Sequence, residues 1–229
     1  MLDNSNFTLP EERNLELEQL LKQYATVYTY PAKKIFSEPG DILNGIYYIV
    51  EGRTRHYMSD ENGTEKLLYV LSAGWFFGET PNFLHGVTGL YSKTEVKSVL
   101  YKIPLARCQN LMDTSKIFRD SILKNCSKKL LIMRYEIENL AFHSCKDRLK
   151  RLFCSTADTS SLLEGQWYGL KAHYTQYEIS TIVGGARITV NKLINELCAE
   201  GFIRILNRNA QVNAKLYEEF ISKEFQQRS

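Results

Sequence analysis

Residues 174–197 read YTQYEISTIVGGARITVNKLINEL, and this stretch decides the fold of the C-terminal part of the chain. Apolar residues recur at helical spacing on both sides of the pair Gly184-Gly185, which is typical of two helices joined by a tight turn. One face of the second helix is apolar, and the other offers cations and amides without a carboxylate. Such a face suits a helix lying in a DNA major groove, although a purely structural helical hairpin has the same apolar spacing. The residues predicted to contact DNA are Thr175, Arg187, Ile188, Thr189, Asn191 and Lys192.

The composition limits the class of protein. A chain of 229 residues has room for one large domain or two modest ones. No apolar run approaches the length of a membrane span and the N-terminus lacks a signal-peptide pattern, so we expect a cytoplasmic protein without a membrane partner. All of the formal net charge of +3 falls in residues 143–229, which is consistent with phosphate contacts by that part of the chain.

Sequence motifs that carry catalytic chemistry are missing. The sequence has no nucleophile elbow, no phosphate-binding P-loop and no cluster of histidines and carboxylates at metal-ligand spacing. Its five cysteines are scattered and include no CxxC pair, which argues against a disulfide framework and against structural zinc. We therefore predict no catalytic residues, no metal and no cofactor, and a protein that is not an enzyme.

Short β-rich runs alternate with glycine turns between residues 28 and 103. Two such runs are GIYYIVEGRTRHYM at 45–58 and EKLLYVL at 65–71, and the DENG sequence at 60–63 between them predicts a hairpin turn. Strands this short and this regularly spaced predict an antiparallel barrel or sandwich.

A long helix is predicted from about residue 115 to residue 142, where apolar residues recur at alternating intervals of three and four. This spacing is that of a coiled-coil seam and favours a parallel homodimer. Because the seam lasts fewer than three heptads, a helix packed on its own domain remains the alternative. The predicted interface residues are Leu123, Cys126, Leu130, Met133, Ile137 and Leu140.

The pattern breaks at residues 141–146, where we expect a hinge, and a further helix begins in DRLKRLF at 147–153. Residues 158–173 are expected to form a loop and small strands. The sequence FIRILNRNAQVN at 202–213 predicts a two-stranded wing with its tip at 207–209.

Two groups of residues resemble the Crp/Fnr family of transcription regulators, and together they cover about residues 28–212. The helix-turn-helix of that family is matched by Thr175, Glu178-Ile179, Val183-Gly184, Arg187, Thr189-Val190 and Leu197. The landmarks of its cyclic-nucleotide-binding β-roll are matched by Pro39-Gly40-Asp41, residues 47–52, Gly63, Leu71, Gly74 and Phe77-Gly78-Glu79.

The resemblance implies an α+β protein with a cyclic-nucleotide-binding-type β-roll, a long dimerisation helix and a C-terminal winged helix-turn-helix. The corresponding domains are 1–114 for effector sensing, 115–142 for dimerisation and 143–229 for DNA binding. It further implies a homodimeric, effector-controlled regulator, expected to be an activator, whose partners are double-stranded DNA, RNA polymerase and a small-molecule effector.

The effector predicted for this chain is not a cyclic nucleotide. Members of the family that bind cyclic AMP carry an Arg followed by Ser or Thr after the FGE sequence, and these positions fall near Gly89 and Leu90 here. A planar guanidinium that could hold a cyclic phosphate is therefore missing. The predicted effector-binding residues are Phe77, Gly78, Glu79, Thr80, Tyr91, Lys129 and Met133.

Aromatic residues and lysines suggest what enters the roll instead. A lysine beside aromatic rings suits a small aromatic anion such as a phenolate, whereas the alternative is that the rings are barrel core and the lysines are solvated. Within the family the chain is most similar to the CprK-type regulators of reductive dehalogenation, which sense halogenated phenols, although Glu79 counts against a simple anion site. The residues involved are Trp75, Phe76, Phe77, Phe83 and Tyr91, with Lys128, Lys129 and Met133.

Two other functions remain open at this point. One is a redox or haem sensor in the same regulator frame, for which His85, Cys145 and Cys154 are the candidate residues. The other is a β-roll ligand-binding module that never touches DNA. The helix-turn-helix with its wing argues against the second.

The DNA-reading helix departs from the family at Ile188, where many members have a Glu that reads a cytosine. An apolar side chain there can contact a thymine methyl group but cannot accept from cytosine. We therefore predict an A/T-rich inverted repeat with half-sites about one helical turn apart. Arg187, Asn191 and Lys192 are the expected readers, and Thr175 and Thr189 are expected near phosphates.

Overall fold

The computed structural model describes residues 7–226, which form two compact units. The first runs from Phe7 to Glu136, and the second begins at Ile137. The boundary between them lies inside one long helix, so the predicted division into three domains stays a prediction. None of the helices in the described residues is long and apolar enough to cross a membrane.

The first unit is a β-roll of two sheets accompanied by helices, as the sequence predicted. One sheet has the order β1-β6-β5-β8-β3 and the other the order β2-β9-β4-β7, and apart from the parallel pair β1-β6 all neighbouring strands are antiparallel. Its strands are β1 Thr8–Leu9, β2 Thr26–Tyr30, β3 Ile35–Ser37, β4 Gly45–Glu51, β5 Thr54–Ser59, β6 Glu65–Leu71, β7 Phe76–Phe77, β8 Tyr91–Thr94 and β9 Ser98–Pro104. Its helices are α1 Leu15–Lys22, α2 Glu79–Phe83, α3 Leu105–Thr114 and α4 Lys116–Phe142, which continues into the second unit.

The hairpin predicted at residues 60–63 joins β5 to β6. Asp60 closes it, because its Oδ1 accepts from the backbone N–H groups of Asn62 and Thr64 at 2.9 and 2.8 Å. Gly63 supplies a left-handed residue with φ of 74°. The turn chemistry of DENG therefore sets the register of this strand pair.

Strand β4 is buried on both faces and separates two apolar cores. Ile46 and Tyr48 belong to the core that includes α1, α3 and the start of α4, whereas Tyr47 and Ile49 belong to the core between the sheets. This division follows from the two-residue alternation of a strand. Helix α1, which the sequence analysis did not predict, contributes Leu17 to the first core, and α3, also not predicted, contributes Cys108 and Leu111 to it.

Helix α4 begins after Ser115, which caps it, because its hydroxyl accepts from the N–H of Phe118 at 3.3 Å. Its inner face is buried against the roll at Phe118, Ile122 and Asn125. The predicted seam lies on the other side. Its four aliphatic members are exposed within the chain: Leu123 (56%), Leu130 (70%), Ile137 (67%) and Leu140 (47%), while Cys126 and Met133 are partly buried.

The second unit contains the predicted helix-turn-helix and wing. Its sheet has the order β10-β11-β13-β12. The wing turn places Asn207 and Arg208 at φ of 50° and 65°, as a two-residue turn of the I′ type requires. The elements are α5 Cys145–Thr156, β10 Ala157–Leu163, β11 Trp167–Leu170, α6 Gln176–Val183, α7 Arg187–Ala199, β12 Ile203–Leu206, β13 Asn209–Asn213 and α8 Ala214–Gln226.

Helix α8 is a further element that the sequence analysis did not predict. Tyr217 packs edge-on against Tyr168 with ring centroids 5.3 Å apart, and Phe220 packs against Phe202 at 6.0 Å. These contacts hold α8 on the wing sheet and on the end of the helix-turn-helix.

Asn82 is expected to be a major source of stability in the roll. It is buried, its Oδ1 accepts from the N–H of Gly45 at 2.8 Å, and its Nδ2 donates to the carbonyl groups of Gly45 and Gly78. Asn82→Ala leaves these backbone groups without partners, so we expect a loss of about 3 kcal/mol in the free energy of unfolding. Urea unfolding followed by circular dichroism measures it, with Asn110→Ala on an exposed helix face as control. A loss equal to that of the control would contradict this role.

Candidate effector and DNA-binding sites

A buried ion pair lies where the effector site was predicted. Glu79 begins α2 directly after Gly78, which adopts a left-handed conformation with φ of 85°. Glu79 and Lys129 are 5% and 8% exposed. The Lys129 ammonium donates to Glu79 Oε1 and, at 2.6 Å, to the backbone carbonyl of Phe76. The lysine proposed for anion binding is therefore already neutralised by a carboxylate of the same chain.

Cys126 adds a thiol to this ion pair. Its Sγ lies 3.8 Å from Glu79 Oε1, and burial together with the Glu79 charge raises the pKa of the thiol. The sequence analysis placed Cys126 on the dimer seam as a packing residue, because spacing along one helix does not reveal a neighbour on α2.

His56, which the sequence analysis did not single out, lies inside the roll on β5. Its ring nitrogens are 2.9 Å from Thr54 Oγ1 and 3.1 Å from Ser92 Oγ. Its ring lies 4.9 Å from that of Phe77. Burial, and after it the charge of Lys129, lowers the pKa of His56 to about 3, so the imidazole is neutral.

The aromatic residues predicted to line one site divide into separate groups. Phe77 stacks on Tyr47 at 4.9 Å inside the roll, but Phe76 points into the helical core. Tyr91 stacks on Tyr57 with centroids 5.1 Å apart. Since Tyr91 precedes Ser92, it lies on the opposite face of β8 from the His56 contact. Of the remaining predicted aromatics, Trp75 is buried beside Phe77 and Phe83 is 37% exposed.

The other predicted effector residues are not brought to the ion pair as a group. Thr80 is exposed, and Met133 lies one turn beyond Lys129 and is partly buried. Lys128 binds the Glu12 carboxylate at 2.6 Å and lies over the ring of Trp75. Only Phe77, Gly78, Glu79 and Lys129 of the predicted set surround the same interior region.

The helix-turn-helix begins with a capping box. Thr175 Oγ1 accepts from the N–H of Glu178 at 3.2 Å, and Glu178 accepts from the N–H of Thr175 at 2.8 Å. Glu178 therefore stabilises the start of α6. Helix α6 ends at Gly184, which is left-handed with φ of 66°. The Thr175 hydroxyl is engaged in this cap, although the residue is exposed.

Helix α7 presents two sharply different faces. Val190, Ile194 and Leu197 are at most 2% exposed, as the predicted apolar stripe requires. On the other face Ile188 is 86% exposed. Its neighbours Arg187, Thr189, Lys192 and Asn195 are also exposed, and Asn191 is partly buried. The predicted DNA-reading residues, apart from Thr175 on α6, thus share one helix.

One side-chain atom of α7 has no hydrogen-bond partner among the described residues, and the start of the helix has no side-chain cap. The side-chain oxygen of Asn191 has no hydrogen-bond partner. At the helix start Ala186 provides no side-chain cap, so the first N–H groups of α7 are left for an external acceptor such as a phosphate.

Residues of α5 that the sequence analysis did not identify hold this motif in place. Arg148 Nε donates to the carbonyl of Val183 at 2.8 Å, which satisfies the end of α6. Lys146 Nζ lies 3.3 Å from Glu196 on α7 and 2.5 Å from Glu200, the residue that caps its C-terminal end. The sequence analysis predicted a helix at 147–153, and Arg148 falls within it, whereas Lys146 lies just before it.

The sequence and the architecture are both similar to those of known proteins. Residues 28–115 match the family model of the cyclic nucleotide-binding domain. The cAMP-activated global transcriptional regulator CRP of Haemophilus influenzae is 24% identical over 194 residues, covering 83% of this chain and 86% of that protein.

Two solved structures extend the comparison to the whole architecture. A CRP/FNR-family transcriptional regulator of Thermus thermophilus superposes with a TM-score of 0.64 at 26% identity, covering 85% of this chain and 97% of that one. CprK in complex with OCPA superposes with a TM-score of 0.69 at 18% identity, covering 91% of this chain and 96% of that one.

A cyclic-nucleotide-binding-type β-roll, a long helix and a winged helix-turn-helix define a class of DNA-binding transcription regulators. The Haemophilus influenzae CRP and the Thermus thermophilus protein named above are transcription regulators. This chain is similar in sequence and fold to transcription regulators of the Crp/Fnr family.

The buried ion pair is expected to behave as a coupled unit. Lys129→Met leaves the Glu79 carboxylate buried without its cation, which should cost about 3–5 kcal/mol in the free energy of unfolding. In the double variant Glu79→Gln/Lys129→Met no charge remains buried. This variant should therefore regain more than half of the stability that Lys129→Met loses. Urea unfolding of the two single variants and the double variant measures the coupling. Additive losses would show that the two side chains act independently.

Stability should depend on pH through His56. Its folded-state pKa of about 3 lies below the value of about 6.5 expected in the unfolded chain, so the unfolded state binds more protons as the pH falls below about 6.5. The native state then loses stability by at most about 1.4 kcal/mol per pH unit through this group. In His56→Gln the free energy of unfolding should therefore decline less steeply between about pH 6 and pH 4.5, by up to about 1.4 kcal/mol per pH unit. Unfolding curves at several pH values test this, with His85→Gln in an exposed loop as control.

Proposed function

We propose that this chain is a homodimeric, effector-controlled transcription regulator that reads an operator with α7. The observation that carries the proposal is the exposed face of α7, where Arg187 and Lys192 flank Ile188 and no carboxylate intervenes. A cationic helix face with a free N-terminus suits a major groove lined with phosphates.

The operator we propose is an A/T-rich inverted repeat. Ile188 is the most exposed large apolar residue of the described chain and can contact thymine methyl groups but accepts no hydrogen bond. Asn191 carries an amide, which suits adenine, and its side chain would have to turn outward to reach a base, because its oxygen is buried and without a partner in the described residues. Thr189 is placed to approach a phosphate, and Thr175 contributes through the start of α6.

Dimerisation is proposed through α4. Leu130 and Ile137 expose 70% and 67% of their surface along one line of this helix, and a second copy of the same helix would bury them. The two α7 helices of such a dimer would meet half-sites about one helical turn apart.

The effector is proposed to be a small non-nucleotide aromatic molecule that binds inside the roll. Gly89 and Leu90 provide no guanidinium for a cyclic phosphate, and aromatic rings surround Phe77. The similarity to CprK, which was solved with OCPA bound, supports a non-nucleotide ligand. Lys129 lies on α4, so a ligand near it acts on the helix that leads into the second unit.

Control of DNA binding requires that the effector bind the DNA-ready conformation better than the idle one. A tenfold gain in operator affinity needs only about 1.4 kcal/mol of coupling. We further propose that the regulator activates transcription together with RNA polymerase.

Arg187→Ala is expected to weaken operator binding at least tenfold without changing the oligomeric state, because it removes a base or phosphate contact from an exposed residue. Operators would first be selected from a random DNA pool, then measured by fluorescence anisotropy, with size-exclusion chromatography reporting the dimer. Lys22→Ala, which removes an exposed cation from α1, is the matched control. Loss of the dimer in Arg187→Ala, or selection of G·C-rich half-sites, would contradict the proposal.

A further inference from the structure

His143 and Ser144 form the connection between the end of α4 and the start of α5. They lie in the segment where the sequence analysis expects a hinge. The last turn of α4 belongs to the second unit, which begins at Ile137, so the contacts around this connection lie within one unit. The side chains that meet here therefore decide how the end of α4 is held on the rest of that unit.

Arg151 of α5 is the centre of a charged cluster at this connection. Its Nη1 lies 2.8 Å from Nε2 of His143 and also donates to the carboxylate of Glu224 on α8. Its Nη2 lies 3.9 Å from Oε1 of Glu138 near the end of α4. All of these side chains are partly buried, so salt screens their charges less than it screens charges on the open surface. These four residues are called the hinge cluster below.

The contact with Arg151 defines where the proton of His143 lies. A guanidinium has N–H donors and no acceptor, so the ring nitrogen beside it must accept the hydrogen bond. Nε2 can accept only in a neutral imidazole whose proton is on Nδ1. The observed geometry is therefore that of neutral His143, which connects the end of α4 to α5.

A proton taken up from solvent by Nε2 would reverse this contact. The imidazolium cannot accept from Arg151 and repels it, because both groups are then cationic. Glu224 and Nε2 of His143 contact the same nitrogen of Arg151, so the carboxylate lies close to the ring. Two carboxylates face one guanidinium in the hinge cluster, and they compensate the added charge. Protonation thus transfers the connection of α4 from α5 to α8.

Charged and titratable groups face His143 from each helix packed around it. They are Glu138 on α4, Arg148 and Arg151 on α5 and Glu224 on α8. The thiol of Cys154 on α5 lies near Glu224. Burial, and after it the Glu224 charge, raises the pKa of Cys154 to about 12, so the thiol adds no charge to the cluster.

Arg148 connects the same segment to the helix-turn-helix. Its Nη1 donates to the carbonyl of His143 at 2.8 Å, and its Nε donates to the carbonyl of Val183 at the end of α6 at 2.8 Å. One side chain therefore contacts both the connection after α4 and the turn that precedes α7. A change in how His143 is held acts through this side chain on the orientation of α7.

We propose that His143 is a proton-sensitive positioning residue. In its neutral form it holds the end of α4 on α5, and its protonation releases this contact and weakens operator binding. Histidine is the side chain that ordinarily changes charge between about pH 5 and pH 8. Release leaves the orientation of α7 less defined, so more conformational freedom is lost when DNA fixes it. The inference rests on the proposed function, because operator binding is its readout.

Operator anisotropy at constant salt tests the pH dependence. Between about pH 7.5 and about pH 5.5 the wild type should lose about fivefold in operator affinity relative to His143→Gln. The glutamine offers an oxygen to Arg151 but takes up no proton, so it keeps the neutral arrangement. Both proteins retain His56, whose effect on stability therefore cancels in the comparison. His85→Gln is the matched control and should follow the wild type. Equal pH profiles for the wild type and His143→Gln would overturn the proposal.

Glu224→Gln tests the group that receives the protonated ring. This variant removes the carboxylate on α8 but leaves Glu138 as a partner of Arg151. The imidazolium is then less well compensated, so the pH profile should move toward that of His143→Gln. Glu218→Gln, at an exposed position of the same helix, should keep the wild-type profile. A wild-type profile in Glu224→Gln would overturn the transfer to α8.

Nitrogen NMR of the imidazole rings, assigned with His143→Gln, tests the hinge cluster without DNA. At about pH 7.5 Nε2 of His143 should give the signal of an unprotonated nitrogen and Nδ1 that of a protonated one. The opposite assignment would overturn the inference even if the protein binds its operator. Should no operator be selected from the random pool, the proposed function would be contradicted, whereas the nitrogen spectra would still support or overturn the arrangement at His143.

Discussion

The ion pair between Glu79 and Lys129 links the interior of the β-roll to the long helix. Both charges are withdrawn from water, and each is compensated mainly by the other, so the position of α4 cannot change at this point without exposing or re-pairing a charge. The Lys129 ammonium also donates to the carbonyl of Phe76, which fixes the helix to β7. Asn125 adds a second connection, since its Oδ1 accepts from the N–H of the same Phe76 at 2.9 Å. Strand β7, the start of α2 and helix α4 are thus joined by one polar unit.

Residues close in sequence allowed most of the fold to be predicted. The stripe of Val190, Ile194 and Leu197 defined α7, and the DENG turn defined the β5–β6 hairpin, because each pattern is complete within one or two elements. Helices α1 and α3 were missed, since each is short and buries only a few apolar residues, although Asn14 caps α1 by accepting from the N–H of Leu17.

The interior site could be predicted only in part. Lys129 and Glu79 were found because the family resemblance marks their positions, although their pairing was not. Ser92 and His56 meet only through the pairing of β8 with β5. Register of this kind depends on contacts between distant parts of the chain, which a single sequence does not specify.

The two-sided burial of β4 restricts how this molecule can diversify. An insertion or deletion of one residue within the strand would exchange Tyr47 and Tyr48 between the two cores, and neither core could accept the exchange without wholesale repacking. Heritable variation in length is therefore confined to the connecting segments, such as the exposed stretch around Leu84 and Val87 that follows α2. Lineages descended from this chain would acquire new ligand preferences by substituting side chains inside a frame of constant strand length.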